Sequence, residues 1–304
     1  MPMRIFNSLA CVAVIWLGVS VSQAQSPVVV SSKIDTEGSV LGQLIIQTLE
    51  ANGVATENRL QLGGTSIVRA AIKAGEIDLY PEYTGNGAFF FDRADEPGWN
   101  DATSAYQMVR DLDRARNDLV WLQPAQANNT WAMSVRRDLA ESEGLETLDD
   151  LATYINDGGE FRFAASAEFV DSESALPAFQ SAYGFELDSE QLLILSGGDT
   201  AATMRAAAQS NNDVNGAMTY GTDGGVSALG LVVLEDTRGV QPVYQPTPVV
   251  RASVLDAHPN IGDILNPLFA RLDLETLQTL NARVAVEGQP AREVAADYLE
   301  KMSD

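Results

Sequence analysis

From residue 27 onward, short apolar runs alternate with stretches whose apolar residues recur at helical spacing. "VVV" (28–30) has the unbroken β-branched character of a strand buried on both faces. "TEGSVLGQLIIQTLEANG" follows, with apolar residues at 40, 41, 44, 45, 46 and 49, Thr36 as its N-cap and Gly53 as its stop. "RLQL" (59–62) reads as a second strand, and "TSIVRAAIKAG" as a helix begun by Thr65 and ended by Gly75. "IDLY" (77–80) is a third strand. Strand, helix, strand, helix, strand implies a parallel sheet covered on both faces.

The alternation continues. A helix over 101–117 leads to a strand at 119–122, and strands are predicted at 130–135, 161–166, 192–195, 215–220 and 231–236. Helices are predicted between them at 147–156, 174–183 and 199–210. "PVYQPTPVV" (242–250) is extended and punctuated by proline, and three helical stretches close the chain at 260–272, 273–285 and 290–302. There is no repeat, coiled coil or low-complexity segment. More than 250 residues of α/β alternation without eight even units predicts two open sheets rather than one barrel.

The first residues change the compartment. Met1–Arg4 are short and basic, Ile5 to Val21 are mostly apolar, and Ser22 and Ala24 sit at the small-residue positions of a signal-peptidase site. Residues 1–24 read as a cleaved secretory signal, which places the mature protein in the periplasm. The one cysteine, Cys11, goes with that leader; a lipoprotein reading of "SLAC" is the weaker one, because most of the apolar run follows the cysteine. The mature chain therefore owes nothing to disulfides. Arg4 is also lost and no acid is, so the net charge of −23 becomes −24. A surface of that sign repels nucleic acid and anionic lipid.

The equipment of an enzyme is missing. The mature chain has one histidine, His258 in "LDAHPN", which reads as a surface residue at a helix entry. Without cysteine there is no thiol chemistry and no His/Cys zinc cluster. No serine lies in G-x-S-x-G, and "LGGTS" (62–66) lacks the length and the lysine of a phosphate loop. Paired acids such as Asp78 and Glu82 say little in a chain with 42 carboxylates. No cofactor or metal is implied, and binding is the expected activity.

One stretch stands apart. "DLYPEYTGNGAFFF" (78–91) carries five aromatics, yet Pro81, Gly85 and Gly87 mark it as a surface turn. Tyr80 alternates with the buried residues of its strand and reads as core, and Phe89–Phe91 read as packing beneath the turn. Tyr83, after the carboxyl end of a strand, stands where open α/β sheets present ligand contacts.

Together with "SSKIDTEGSVLGQLIIQTLEANG", "PAQANNTWAMSVR", "FAASAEF", "MTYGTDGG" and "GVQPVYQPTPVVR", this stretch resembles the substrate-binding proteins of quaternary-amine ABC importers, in order along essentially the whole mature chain. The resemblance implies a type II periplasmic-binding-protein clamp, α/β, with two open-sheet lobes joined by two crossover strands. Residues 27–126 plus 242–304 would form one lobe and 127–241 the other. It implies a monomer that closes over a quaternary ammonium osmolyte, glycine betaine or choline. The loaded protein would then deliver its cargo to a membrane ABC permease with its ATPase, and no nucleic acid would be bound.

The family's aromatic cage falls on Tyr83 in "EYTG", Trp131 in "NNTW", Tyr220 in "MTYGTD" and Tyr244 in "PVYQP". A quaternary ammonium has no N–H to donate, and aromatic faces are its selective partners. Position 131 is tyrosine in many relatives, and tryptophan keeps the chemistry with a larger face. At the polar end the resemblance implies Lys33 in "SSKID" for a ligand carboxylate, Asn86 at a threonine position, and Asn129 as a further donor. The family's arginine position falls on Ser172 in "EFVDSESAL". Asp171 and Glu173 beside it either face the cleft or are solvated acids at a helix N-terminus. A clamp retuned to a polyamine or amino acid, a ligand sensor docking on a membrane receptor, and a carboxylate-based hydrolase are the alternatives left open.

Overall fold

A computed structural model describes residues 26–195 and 200–303; the leader expected at 1–24 lies outside them. Ten strands form two five-stranded sheets of the same plan among these residues. The first contains β1 (Val28–Lys33), β2 (Thr56–Gly63), β3 (Leu79–Tyr83), β4 (Leu119–Trp121) and β10 (Pro246–Arg251), in the order β2-β1-β3-β10-β4. The second contains β5 (Trp131–Arg136), β6 (Phe163–Ser166), β7 (Leu192–Leu195), β8 (Gly216–Tyr220) and β9 (Leu231–Val233), in the order β7-β6-β8-β5-β9. In each, three strands are parallel and a strand that returns from the other sheet lies antiparallel between two neighbours: β10 between β3 and β4, β5 between β8 and β9.

The helical stripes read from the sequence bury as two-sided packing requires. Val28, Val30, Leu79 and Val250 point to one face of the first sheet, under the helices Thr36–Ala51, Ile261–Phe269, Leu274–Ala285 and Ala291–Ser303. Tyr80, Leu119, Trp121 and Val249 point to the other, under Thr65–Ala74 and Ala102–Asn117. Neighbours Leu79/Tyr80 and Val249/Val250 part to opposite faces, the period of two that a pleated strand imposes. Tyr80 is thus core, as its alternation predicts. In the second sheet Phe163, Ala165 and Met218 face one cluster, and Ala164 and Ala217 the other.

The structure corrects several details. Asp35, not Thr36, caps the first helix, its carboxylate accepting from the Gly38 N–H at 2.6 Å. Gly64 rather than Thr65 stands at the second N-cap, without a side-chain bond. Short helices at Arg137–Glu143, Gly224–Ala228 and Ala252–Ala257 were not predicted, being too brief to show a period. His258 is buried at the end of the last of these, not on the surface; its backbone N–H donates to the Val254 carbonyl and its carbonyl accepts from the Ile261 N–H. Phe91 is buried but Phe89 is 63% exposed, so only part of the Phe89–Phe91 run packs beneath the turn.

The proline-punctuated stretch becomes a central strand. Pro246 and Pro248 are tolerated because β4 ends at Trp121, beside Val249, so the edge where they lack an N–H lies past its pairing. Their carbonyls still accept from Ala125 and Leu122 of the crossing chain. The chain passes between sheets twice, after β4 and before β10. Neither crossing is a regular strand; they run side by side, Asn129 N–H donating to the Tyr244 carbonyl at 2.9 Å and Tyr244 N–H to Asn128 Oδ1 at 2.8 Å.

A second contact joins the two halves. The helix Gly224–Ala228 meets the helix Leu274–Ala285 so closely that a Cβ on Gly224 would stand 2.2 Å from the Ala282 nitrogen. Backbone cannot yield as a flexible side chain does. Gly224→Ala is expected to cost about 1–3 kcal/mol, the usual range for overpacking. It should lower the melting temperature in calorimetry by several degrees; an unchanged melting curve would show that the two helices separate freely.

Candidate functional site

Tyr83 ends β3, opposite Pro246 of β10. The turn that follows is not on the surface: Thr84 is fully buried, its hydroxyl donating to the Val243 carbonyl (2.8 Å) and accepting from the Gln245 N–H (3.1 Å). These bonds strap the turn to the crossing segment that carries Tyr244. Gly85 is required here, since a Cβ would lie 2.9 Å from Cδ1 and Cε1 of Tyr244 and from the Val243 carbonyl. Tyr83 and Tyr244 are therefore held at one end of the first sheet.

Trp131 opens β5 and Tyr220 closes β8, and the two are direct cross-strand partners. Their rings stack at 6.5 Å with 29° between planes. Phe169, fully buried at the start of a helix capped by Ser166, braces Trp131 edge-on at 5.8 Å. The Trp131 N–H is buried and finds no acceptor in hydrogen-bond geometry. Trp131, Tyr220 and Tyr244 are each half-buried, as residues lining a cleft are.

Asn129 lies between the pairs. Its backbone is bonded to Tyr244 and its side-chain amide donates to Glu37 at 3.2 Å. The Tyr244 phenol is pushed up to about 12, chiefly by burial, with Tyr220 and Glu82 adding to the rise. Burial likewise pushes the Tyr83 phenol well above its usual value, with Glu37 opposing its ionisation.

Lys33 and Asn86 are brought to the same place, but onto a partner. Lys33 Nζ lies 2.5 Å from Glu82 Oε1, and Asn86 Nδ2 donates to the same oxygen at 2.7 Å. The Tyr83 N–H (2.8 Å) and the Tyr80 hydroxyl (3.1 Å) complete the shell of this fully buried carboxylate. The Lys33 ammonium also stands 4.5 Å from the Tyr83 ring centroid, covering one of its faces. Ser172 lies between the helices Ala167–Asp171 and Leu176–Tyr183, its hydroxyl 3.0 Å from that of Ser174. Among the described residues no hydrogen bond or ring contact joins it to the four rings. Asp171 and Glu173 are exposed, and Asp171 ends its helix rather than beginning it.

The residue that sequence reasoning missed most plainly is Glu37. It occupies the first turn of its helix, where an acid is ordinary because the helix dipole favours it. Here it is buried. Its carboxylate accepts from the Tyr83 hydroxyl (2.8 Å), Asn129 and Asn281 Nδ2 (2.7 Å), and Thr222, in the turn after β8, bonds it as well. Asn281 also donates to the Thr222 carbonyl, so the cluster bridges both halves. Nothing in "DTEGS" signals this, because Asn281 is 244 residues away.

Among the described residues no group of histidine, cysteine and acids could hold a metal ion, and no helix is long and apolar enough to cross a membrane. Tyr83 and Tyr244 on one half and the stacked Trp131–Tyr220 pair on the other thus stand at the ends of the two sheets, beside the buried Glu37 and Glu82.

This is the architecture of a periplasmic substrate-binding clamp. Residues 26–301 match the family model for the substrate binding domain of ABC-type glycine betaine transport systems, and the chain belongs to that family. It is 57% identical over 279 residues to the glycine betaine-binding protein YehZ of Escherichia coli K12, covering 92% of each chain. The apo structure of the E. coli YehZ protein superposes with a TM-score of 0.89 at 56% identity, over 91% of this chain and 99% of the other. A glycine-betaine-binding protein of Pseudomonas aeruginosa is 31% identical over 97% of this chain and 94% of its own. The molecule is a binding protein, not an enzyme, and serves an importer with a membrane permease.

Glu37 gives the site a titration of its own. Burial raises its carboxyl from 4.5 to about 7, against the hydrogen bonds of Thr222, Tyr83 and Asn281, and Asp35 adds to the rise. The folded state thus holds a proton that the unfolded chain releases near 4.5. The stability this confers is complete below that value and lost as the pH climbs through about 7. The loss amounts to about 3 kcal/mol at most, at roughly 1.4 kcal/mol per pH unit. Denaturant unfolding of the wild type and Glu37→Gln at pH 4.5, 6 and 8 should show the wild type losing ground to the variant as pH rises. A constant difference would mean that Glu37 titrates as it does in water.

Proposed function

We propose that the protein is the periplasmic solute-binding component of an ABC importer, exported by the leader 1–24, that captures a quaternary ammonium osmolyte, glycine betaine or choline. As a monomer, it closes residues 27–126 plus 242–304 against 127–241 and presents the loaded clamp to a permease driven by its ATPase. The cage is Tyr83, Trp131, Tyr220 and Tyr244, with Asn129, Asn86, Lys33 and Ser172 at the polar end. The relatives named for glycine betaine binding support this reading, but the observation that carries it is geometric. A stacked Trp131–Tyr220 pair ends the second sheet, Tyr83 and Tyr244 end the first, and the crossing chain at Asn129 ties them together.

The chemistry follows from the charge of the ligand. An onium group spreads its charge over methyls, which offer no hydrogen-bond donor and are cheaply desolvated. Each aromatic face provides a negative quadrupole worth ~0.5–1 kcal/mol when exposed and ~2 kcal/mol or more when dry. Three or four faces reach the order of −8 kcal/mol, a micromolar affinity, once closure removes water. A ligand touching both halves biases the hinge toward closure, since only the closed state gives it all its contacts.

Trp131→Ala and Tyr220→Ala should each weaken binding of trimethylammonium ligands at least tenfold, with an unchanged circular-dichroism spectrum. Isothermal calorimetry with glycine betaine and choline reads this directly. Native affinity in both variants would reject the cage.

A further inference from the structure

Glu82 has a role that goes beyond holding the end of β3. Lys33 and Asn86 are the two donors that the first sheet could turn toward a ligand carboxylate, and both are bonded to Glu82 Oε1, at 2.5 and 2.7 Å. The pair is out of solvent, with side-chain exposures of 7% for Lys33 and 0% for Glu82. A fully buried carboxylate stripped of its partner is strongly destabilising, so Glu82 does not release Lys33 without cost. The second half of the molecule supplies no replacement around Ser172, since no lysine or arginine occurs between residues 163 and 204.

The consequences for the two ends of a ligand are opposite. A trimethylammonium group needs no counter-charge from this pair, since its partners are the ring faces of Tyr83, Trp131, Tyr220 and Tyr244. A ligand carboxylate meets Lys33 only as half of a neutral pair. We propose that Glu82 is a specificity-determining residue. By holding Lys33 and Asn86 it tunes the site toward trimethylammonium cations that carry no carboxylate, of the choline kind, over zwitterionic betaines. This rests on the aromatic-cage reading above and narrows its substrate class.

Calorimetric titration of choline and glycine betaine into the folded wild type, Glu82→Gln and Glu82→Gln/Lys33→Met tests it. The wild type should bind choline at least tenfold tighter than glycine betaine. Glutamine at 82 keeps an oxygen for the Tyr83 N–H and Asn86 but no charge for Lys33, so the ratio should move toward betaine by at least tenfold. Adding Lys33→Met should cancel that movement. A wild type that prefers betaine overturns the inference without need of any variant. So does a Glu82→Gln protein in which both affinities change by the same factor, as a merely structural role would produce. Absence of binding by either ligand to the folded wild type overturns the cage itself, and this inference with it.

Discussion

Four donors converge on one buried carboxylate, and the end of the first sheet that carries Tyr83 is built around that convergence. Glu82 accepts from the Lys33 ammonium, the Asn86 amide, the Tyr80 hydroxyl and the Tyr83 N–H. A charge in such a place is tolerated only when its shell is complete. Completing it fixes the end of β1 against the end of β3 and the start of the turn after it. It also lays the Lys33 ammonium over Tyr83, whose hydroxyl is taken by Glu37. Tyr83, itself buried, is thereby fixed at its ring and at its hydroxyl.

The second half solves the same problem with packing rather than charge. Trp131 and Tyr220 are register partners on adjacent strands, so the ladder that pairs β5 with β8 also stacks the rings. Phe169 holds the indole edge-on from the core side. One pair of rings is thus set by an electrostatic shell and the other by strand register. The Glu37 cluster touches both halves through Asn129, Asn281 and Thr222, and places a second buried carboxyl beside the cleft.

Much of this was legible along the chain. The strand–helix alternation, the end of the helix Thr65–Ala74 at the left-handed Gly75, and the core position of Tyr80 follow from period and turn chemistry. The four ring positions follow from family motifs rather than from pattern. Errors fell where local signals compete. Asp35 and Thr36 are adjacent capping residues, and only the geometry of the Gly38 N–H chooses between them. The extended, proline-punctuated stretch 242–250 is a regular strand only from Pro246, where the early end of β4 makes room for the prolines. Phe89 looked like core and is solvent-facing, and His258 looked solvent-facing and is core.

The sequence by itself determined which surfaces had to be buried, because periodicity is a local property. It also limited which residues could do chemistry, because a chain with one histidine and one cysteine has few options. The tertiary structure alone decided the partners of the charged residues. Lys33 is bonded to Glu82 at a distance of 49 residues, and Glu37 to Asn281 at 244. Whether a lysine meets a ligand or a neighbouring acid is set by which strands end side by side. Strand order is a long-range outcome of packing that no short motif encodes.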